Sequence, residues 1–242
     1  MRLVWTYSRD FKRGSLNNKS EEEYIQWLFK KSITSSPDIY EKIIYTDKEN
    51  VGLFKDIVDK IIIREKKDFI FLADLKFDVS ELLQGEFLIL DGDLIINKPL
   101  IIPPCDFAFE YQGKIKPKVK ELHNILLSEG VSDKVPVWGT NNDYYYNLGL
   151  MYFNNDLLKE KLLYEYRSTQ NYFIEHIEPK YGFNKRNIQF SACGSQILVK
   201  QFELNNECNI EELKHDNVDS FTHYGHLKKL DLMNEFRPNK LI

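Results

Sequence analysis

Short apolar runs alternate with amphipathic stretches through the first half of the chain. Leu3–Tyr7 predicts a first strand, and Ser20 followed by Glu23 has the spacing of a helix capping box. Lys42–Thr46 and Ile61–Ile63 predict two further strands. Strands and helices that alternate in this way are expected to build a mostly parallel sheet with helices on both faces. The predicted fold class is therefore α/β.

The most apolar of the predicted strands is Glu86–Leu90, which follows a predicted helix over Phe71–Leu83 and runs directly into Asp91-Gly92-Asp93. In open α/β sheets, ligands bind beyond the carboxyl ends of the strands. Two carboxylates one residue apart can converge on a hard divalent cation, Mg²⁺ or Mn²⁺, and glycine permits a tight turn and a close backbone approach. The same tripeptide is also typical of an ordinary β-turn, so both interpretations are open at this point.

The second half of the chain shows a less regular pattern. It contains two predicted strands and three predicted helices, and no internal repeat or long linker divides it. The strands are expected at Phe107–Tyr111 and Tyr144–Phe153, and the helices at Glu121–Leu127, Leu157–Glu178 and Gln189–Phe202. With 242 residues the whole chain fits a single domain.

Composition narrows the class of protein. Lys and Arg total 33 and Asp and Glu total 37, so the net charge of −4 argues against a general polyanion binder. Three cysteines with no Cys-x-x-Cys pair are typical of free thiols in a reducing compartment. No signal peptide and no apolar run of about 20 residues is present, so we expect a cytoplasmic protein without a membrane span.

The segment FLILDGDLIINKPL, which contains the two acidic residues, resembles the strand–Asp-x-Asp–strand segment of GT-A glycosyltransferases, especially the glycogenin-like (family 8-like) retaining enzymes. This resemblance implies a GT-A fold and transfer of a hexosyl group from a nucleotide-sugar donor, a UDP-sugar, to an acceptor hydroxyl. It implies dependence on Mn²⁺ or Mg²⁺. By position, Asp93 would chelate the metal, and Asp91 would contact the metal, the ribose or both.

Further segments match the same families in the expected order and supply the candidate catalytic residues. Lys76 lies on the helix before the Asp-x-Asp strand, where related enzymes carry a basic residue that faces the donor. YNLGLMYFN resembles a strand beside the transferred sugar, which implies that Asn147 binds a sugar hydroxyl and that Gly149 leaves room for the ring. Gln196 matches a polar residue near the anomeric carbon, whereas Ser195 departs from the acid usually found there.

The C-terminal segment FTHYGHLKK resembles the His-Gly-Lys closing segment of glycogenin-like enzymes. The resemblance implies that His223 is the third metal ligand and that Lys228 binds the diphosphate. Because the spacing to Gly225 is one residue tighter than usual, His226 remains an alternative ligand.

At the other end of the chain, the resemblance places the end of the first strand against the nucleotide. Thr6 and Tyr7 would contact the base and ribose, with Tyr7 stacking on the base, and Thr46-Asp47 ends the second strand at a comparable level. Lys228, together with Lys76 or Arg13, would stabilise the leaving diphosphate.

The resemblance also divides the single domain into two functional halves. Residues 1–98 would form the nucleotide-binding half, and residues 99–242 the acceptor-binding half with the C-terminal metal and phosphate segment. A glycan, a protein or a modified nucleobase are all compatible acceptors, because aromatic side chains stack on sugars and on bases alike. Neither the oligomeric state nor the stereochemical outcome follows from the sequence.

Two other classes of function remain open. A haloacid-dehalogenase-type phosphatase also carries an apolar strand followed by Asp-x-Asp, although that motif usually opens the chain and is followed by Thr or Val one residue later. A non-catalytic module could keep the fold and only bind a glycan or a partner.

Overall fold

A computed structural model of the chain describes residues 1–8, 19–65, 73–115, 143–177, 196–213, 217 and 219–223, with the single positions 117, 124, 128 and 179. The chain forms two compact units that interleave along the sequence. Unit 1 comprises residues 1–66, 87–101 and 214–242, and unit 2 comprises residues 67–86 and 102–213. The predicted division into residues 1–98 and 99–242 by function stays a prediction.

Unit 1 contains four parallel strands in the spatial order β4-β1-β2-β3. They are β1 (Arg2–Tyr7), β2 (Glu41–Thr46), β3 (Lys60–Ile63) and β4 (Phe87–Leu90). Each lies within a residue or two of its predicted position. In β1, Val4 pairs with Ile43 on one side and with Ile89 on the other. The parallel arrangement expected from the alternating pattern is confirmed in this unit.

Complete burial explains the continuous apolar runs of β1 and β4. Leu3, Val4 and Trp5 of β1 and all four residues of β4 have no exposed surface. A strand that is covered on both faces must be apolar at every position, and such runs stand out in a sequence. At the edge of the sheet, Ile63 of β3 is 54% exposed, so its run of isoleucines is only partly explained by core packing.

One long helix and a two-stranded ribbon complete the part of unit 1 that carries the site. Helix α1 spans Lys19–Ser35 and packs on β5 (Leu94–Ile96), the strand that follows the Asp-Gly-Asp turn. The helix begins at Lys19, so Ser20 lies inside its first turn and is not the predicted capping residue. Strand β5 pairs antiparallel with β11 (Phe221–His223), near the C-terminus. A short 3-10 turn at Lys48–Asn50 leads into α2 (Val51–Phe54).

Three aromatic rings join the sheet to the helices of unit 1. The ring of Tyr7, at the end of β1, lies 5.0 Å from Phe29 of α1 and 5.1 Å from Phe54 of α2, edge to face in both cases. Edge-to-face pairs add specific geometry to the burial of apolar area. They fix α1 and α2 against the carboxyl end of β1.

A buried ion pair ties the carboxyl ends of the neighbouring strands together. Asp47 follows β2 and accepts a hydrogen bond from Ser8, which follows β1. Arg64, just after β3, donates to Asp47 Oδ1 at 2.8 Å, and both residues are nearly inaccessible to solvent. Three successive strand ends are therefore cross-linked by one carboxylate.

Unit 2 contains a second set of strands. Strand β6 (Phe107–Phe109) pairs antiparallel with β9 (Leu150–Phe153) and parallel with β10 (Ile210–Glu212). Strands β7 (Gln112–Lys114) and β8 (Tyr144–Tyr146) form an antiparallel ribbon. Together with unit 1, these ladders make the chain an α/β protein with mixed but mostly parallel strand pairing, as predicted.

The prediction of one strand over Tyr144–Phe153 is wrong. A turn separates β8 from β9, because the Asn147 side-chain oxygen accepts a hydrogen bond from Gly149 N at 2.7 Å. Asparagine readily makes this local bond, which competes with the regular ladder of a strand. The apolar residues on each side of the turn belong to two different pairings.

The helices of unit 2 are α3 (Asp74–Leu82), α4 (Asp156–Tyr172) and α5 (Leu198–Asn205), and a π-helical turn at Phe173–Ile177 follows α4. The Asn155 side chain caps α4 by accepting from Leu158 N at 3.2 Å. The predicted helix Glu121–Leu127 lies almost entirely outside the described residues, as does the first part of the helix predicted from Gln189.

Polar groups join α3 to α4 inside unit 2. The carboxylate of Asp74 accepts hydrogen bonds from Tyr166 and, at 2.6 Å, from Gln170. Phe77 stacks on the Tyr166 ring at 3.8 Å between centroids. Burial first, and then the adjacent Asp74, raise the pKa of Tyr166 well above its ordinary value, so the hydroxyl stays a donor.

Among the described helices, none combines the length and the hydropathy that crossing a bilayer demands.

The buried ion pair generates a prediction about stability. Replacing Arg64 by leucine leaves the Asp47 carboxylate buried without its cation, which is expected to lower the free energy of unfolding by about 3–5 kcal/mol. Denaturant titration followed by circular dichroism measures this loss. Asp38→Ala is the control, because it breaks the Lys42–Asp38 pair, in which the acid is fully exposed, and it should leave stability nearly unchanged. Equal effects of the two substitutions would contradict the assignment.

Candidate metal and nucleotide site

The Asp-Gly-Asp sequence forms a tight turn between β4 and β5. Leu94 N donates to Asp91 O at 3.1 Å and closes the turn. Asp91 and Asp93 are both half-buried, so their carboxylates are partly open to solvent. The turn lies at the carboxyl end of β4, where the sequence predicted a ligand site.

The absence of a side chain at Gly92 is explained by the nearby Phe29 ring and not by the backbone conformation of the turn. Among the described residues, the single glycine with a left-handed backbone is Gly85, with φ of 67°, so the turn itself would accept another residue at Gly92. A Cβ built on Gly92, however, would come closer than 3.0 Å to ring atoms of Phe29 on α1. Helix α1 thus approaches the turn so closely that only glycine fits beneath Phe29.

The third candidate ligand arrives on β11. In the antiparallel ribbon, His223 is the partner of Leu94, Thr222 of Ile95 and Phe221 of Ile96. Asp93 directly precedes Leu94, so this register brings the imidazole beside the second acid of the turn. His223 Nε2 lies 3.3 Å from Asp93 Oδ1.

Asp91, Asp93 and His223 together have the composition and spacing of a divalent-cation site. Each offers one ligand atom, and these three atoms all lie within 4.8 Å of one another. Around one Mg²⁺, with bonds of about 2.1 Å, adjacent ligand atoms are about 3 Å apart and opposite ones about 4.2 Å apart. Two carboxylate oxygens and a neutral imidazole suit Mg²⁺ or Mn²⁺. The residues present therefore fit a hard divalent cation.

Several predicted site residues lie outside the described residues. They are Arg13, Ser195, Gly225, His226 and Lys228. The assignment of the diphosphate contact to Lys228 stays a prediction. The choice of His223 over His226 as a ligand also stays a prediction, supported by the contact between His223 and Asp93.

The two candidates at the end of β1 are both buried. Thr6 is 9% exposed and Tyr7 is 4% exposed. The Tyr7 ring is held between Phe29 and Phe54, so stacking on a nucleobase would require the ring to leave this aromatic cluster. The structure thus gives Tyr7 a packing role, and its contact with a base stays a prediction.

Two polar residues that the sequence did not single out, Arg64 and Asn50, lie at the same strand ends. Arg64 joins the Ser8–Asp47 pair described above, and Asn50 lies in the turn after β2. Within the described part of the chain, the buried Thr46 hydroxyl and both side-chain amide atoms of Asn50 make no hydrogen bond. Polar residues after a strand are ordinary loop composition in a sequence, so nothing marked Arg64 and Asn50 in advance, whereas Thr46 was named as the end of the second strand.

Within unit 2, two of the predicted catalytic residues, Lys76 and Asn147, meet at one turn. Lys76 of α3 is 6% exposed, and its Nζ donates to the carbonyl oxygen of Leu148, in the turn that Asn147 begins. The lysine is therefore buried and holds the backbone of this turn. Asn147 is half-buried, and its Nδ2 makes no hydrogen bond with any described residue.

The third predicted catalytic residue, Gln196, is half-buried in the helical turn that leads into α5. Helix α5 packs on β8, where the Lys200 ammonium lies 5.0 Å from the centre of the Tyr146 ring and pairs with Glu203. Burial first, and then the negative charge of Glu203, raise the pKa of Tyr146 above its ordinary value. Gln196 precedes this helix by two residues, and its place near the anomeric carbon stays a prediction.

Known proteins resemble this chain only distantly. No protein-family model and no curated protein sequence matches the chain. The glycosyltransferase GlyE of Streptococcus pneumoniae TIGR4 is a structural neighbour at 11% identity and a TM-score of 0.48, and the match covers 90% of this chain and 46% of GlyE. This chain therefore spans about half the length of GlyE.

Two other neighbours are enzymes of different kinds. Mouse xyloside xylosyltransferase 1 aligns at 10% identity and a TM-score of 0.49, covering 94% of this chain and 98% of that one. The inositol-1-phosphate CTP transferase from T. maritima aligns at 10% identity and a TM-score of 0.46, covering 88% and 84%. The neighbours thus include sugar and nucleotide transferases. At such identities and scores the likeness assigns no activity to this chain.

The steric role of Gly92 can be tested with a pair of alanine substitutions. Gly92→Ala forces Phe29 away from the turn and is expected to lower the free energy of unfolding by about 1–3 kcal/mol, as overpacking does. Gly52→Ala, in α2, meets no atom within 4 Å and should raise it by about 0.4–1 kcal/mol through the unfolded chain. Thermal and urea unfolding of the two variants provides the measurement. A neutral Gly92→Ala would show that α1 does not press on the turn.

Proposed function

We propose that this chain is a divalent-metal-dependent glycosyltransferase of the GT-A type, which transfers a hexosyl group from a nucleotide-sugar donor to an acceptor hydroxyl. The observation that carries the proposal is the convergence of Asp91, Asp93 and His223 at the carboxyl end of β4. An Asp-x-Asp turn is common. An imidazole that reaches the same turn from a distant strand is less common, and it supports the proposal of a metal site.

In this proposal the three side chains hold Mn²⁺ or Mg²⁺ at the turn. When bound, such a cation would supply positive charge that neutralises the charge on a departing nucleoside diphosphate. Lys228 would place a point charge on the same diphosphate, with Arg13 as a further candidate, whereas the Lys76 ammonium is held by Leu148 O. The nucleoside would extend over Thr6 and Tyr7 at the end of β1, and uridine is the base that the family resemblance favours.

The candidate sugar-binding residues belong to unit 2. We propose that Asn147 donates its Nδ2 hydrogens to a sugar hydroxyl, since its Oδ1 is already occupied by Gly149 N. Lys76 holds the Leu148 carbonyl and would thereby keep the Asn147 turn in place. Gln196 would lie near the anomeric carbon. The candidate acceptors are a glycan, a protein and a modified nucleobase.

A haloacid-dehalogenase-type phosphatase is less compatible with this geometry. Such an enzyme would use Asp91 as a nucleophile, and it has no use for an imidazole beside Asp93. Assays with a chromogenic phosphate ester and with UDP-sugars separate the two activities. Release of phosphate from the ester without sugar transfer would favour the phosphatase, and binding without turnover would favour a non-catalytic module.

The donor class can be tested by thermal shift. Uridine, guanosine, adenosine and cytidine diphosphates are each added with and without Mn²⁺. A ligand at a hundred times its Kd stabilises the folded chain by about 2.7 kcal/mol, which raises Tm by about 5–10 °C for a protein of this size. We expect such a rise with uridine diphosphate and Mn²⁺ together. A rise that is equally large without Mn²⁺ would contradict metal-mediated binding.

Substitution of the second acid tests the metal site directly. Asp93→Asn keeps the shape of the side chain and removes the charge that a hard cation requires. We expect the Mn²⁺-dependent thermal shift and the metal-dependent sugar transfer to disappear, while the circular dichroism spectrum stays that of the native chain. Near-normal transfer by Asp93→Asn would overturn the metal assignment.

Two matched alanine substitutions distinguish His223 from His226 as the metal ligand. Because His223 Nε2 lies 3.3 Å from Asp93, His223→Ala should raise the Kd for Mn²⁺ by at least about tenfold. His226→Ala, three residues further along the chain, should change it little. Isothermal titration with Mn²⁺ measures both values, and the reverse order would identify His226 as the ligand.

A further inference from the structure

The backbone of one residue, Leu94, connects all three candidate metal ligands. Its N–H donates to Asp91 O at 3.1 Å, and its own peptide bond joins it to Asp93. In the ribbon of β5 and β11 it is the partner of His223. A displacement of Leu94 would therefore move Asp91, Asp93 and His223 relative to one another.

Helix α1 holds this residue from the other side. The hydroxyl of Ser32 donates a hydrogen bond to the Leu94 carbonyl oxygen, and the same hydroxyl accepts a hydrogen bond from Trp5 Nε1 at 2.9 Å. Trp5, Ser32 and Leu94 have no exposed surface. No water reaches these buried groups to replace a lost hydrogen-bond partner. Breaking either bond would therefore leave a buried polar group unpaired, and this cost keeps Leu94 of β5 in place.

A second contact from the same face of α1 acts on the turn itself. Phe29 precedes Ser32 by one helical turn, and residues at this spacing share a face. Its ring covers Gly92 with no room for a side chain. Ser32 therefore fixes the residue after the two acids, and Phe29 fixes the residue between them.

We propose that Ser32 is a positioning residue for the metal site. With Trp5 as its donor, it sets the place of Leu94, and through Leu94 it sets the distances among Asp91, Asp93 and His223. The inference rests on the proposed function, in that these three side chains bind a divalent cation. Groups that orient metal ligands without touching the metal commonly change its affinity by 10–100-fold when they are removed.

The test compares two serines of one helix region. Ser32→Ala removes the bond to Leu94 and is expected to raise the Kd for Mn²⁺ about tenfold. Ser36→Ala is the matched control, because Ser36 is also buried and its hydroxyl donates only to Ile33 O, at 2.6 Å. Isothermal titration of the full chain with Mn²⁺ gives both values, and thermal unfolding without metal reports whether each variant is folded.

Two further variants keep the proposal falsifiable if Ser32→Ala does not fold. Ser32→Thr retains the hydroxyl and should bind Mn²⁺ within about threefold of the unsubstituted chain. Trp5→Phe retains the aromatic ring and removes the donor to Ser32, and it should give a loss of Mn²⁺ affinity between that of Ser32→Thr and that of Ser32→Ala.

The outcomes separate the two proposals. If the unsubstituted chain binds Mn²⁺ and all Ser32 and Trp5 variants bind it as tightly as Ser36→Ala, the positioning role is wrong and the proposed function stands. If the unsubstituted chain does not bind Mn²⁺, the proposed function fails and the positioning role fails with it. A selective loss in Ser32→Ala and Trp5→Phe, with Thr restoring affinity, supports both.

Discussion

The pairing of β5 with β11 is the constraint on which the candidate site depends. It brings an imidazole from near the C-terminus to within 3.3 Å of Asp93. Side chains alternate between the two faces of a strand, so a slip of one residue would place Thr222 opposite Leu94 and turn His223 to the other face. The register is fixed in turn by Leu94, whose backbone is bound to the turn and to α1. The geometry of the ligands thus follows from backbone hydrogen bonds rather than from contacts among the ligands themselves.

The continuous apolar strands could be predicted from the sequence because burial on both faces leaves a direct signal. The run FLIL of β4 is completely buried, and from it the sequence predicted both the strand and a ligand site at its end. The error at Tyr144–Phe153 has the opposite cause. There the local bond between Asn147 and Gly149 N divides a run that looks continuous in the sequence. Periodicity detects faces, and it does not detect a side chain that competes with the ladder.

The metal ligands were predicted in part from local chemistry and in part from resemblance. Asp91 and Asp93 are adjacent to a strand end, where parallel sheets bind ligands. His223 has no such local signal. Its proximity to Asp93 depends on a pairing between segments that are far apart in the chain, so only the resemblance to a known closing segment indicated it. The position of Lys76 could not be predicted from residue type, because a lysine is mostly exposed to solvent. In the structure Lys76 is buried and donates to Leu148 O.

The face of α1 that meets β5 shows why the supporting residues could not be predicted. A large apolar side chain at Ser32 would bury more apolar area, and a buried hydroxyl costs free energy unless both its donor and its acceptor capacity are used. At Ser32 both are used, by Leu94 O and by Trp5 Nε1. The small residues Ser32 and Gly92 allow the helix and the turn to approach closely, and Phe29 fills the remaining space. This combination buries less apolar area than larger side chains would, and it fixes the distance between α1 and the turn. A fixed distance matters at this turn because it holds two like-charged carboxylates close together. Without the contacts from α1, the repulsion between Asp91 and Asp93 would open the turn until a cation binds.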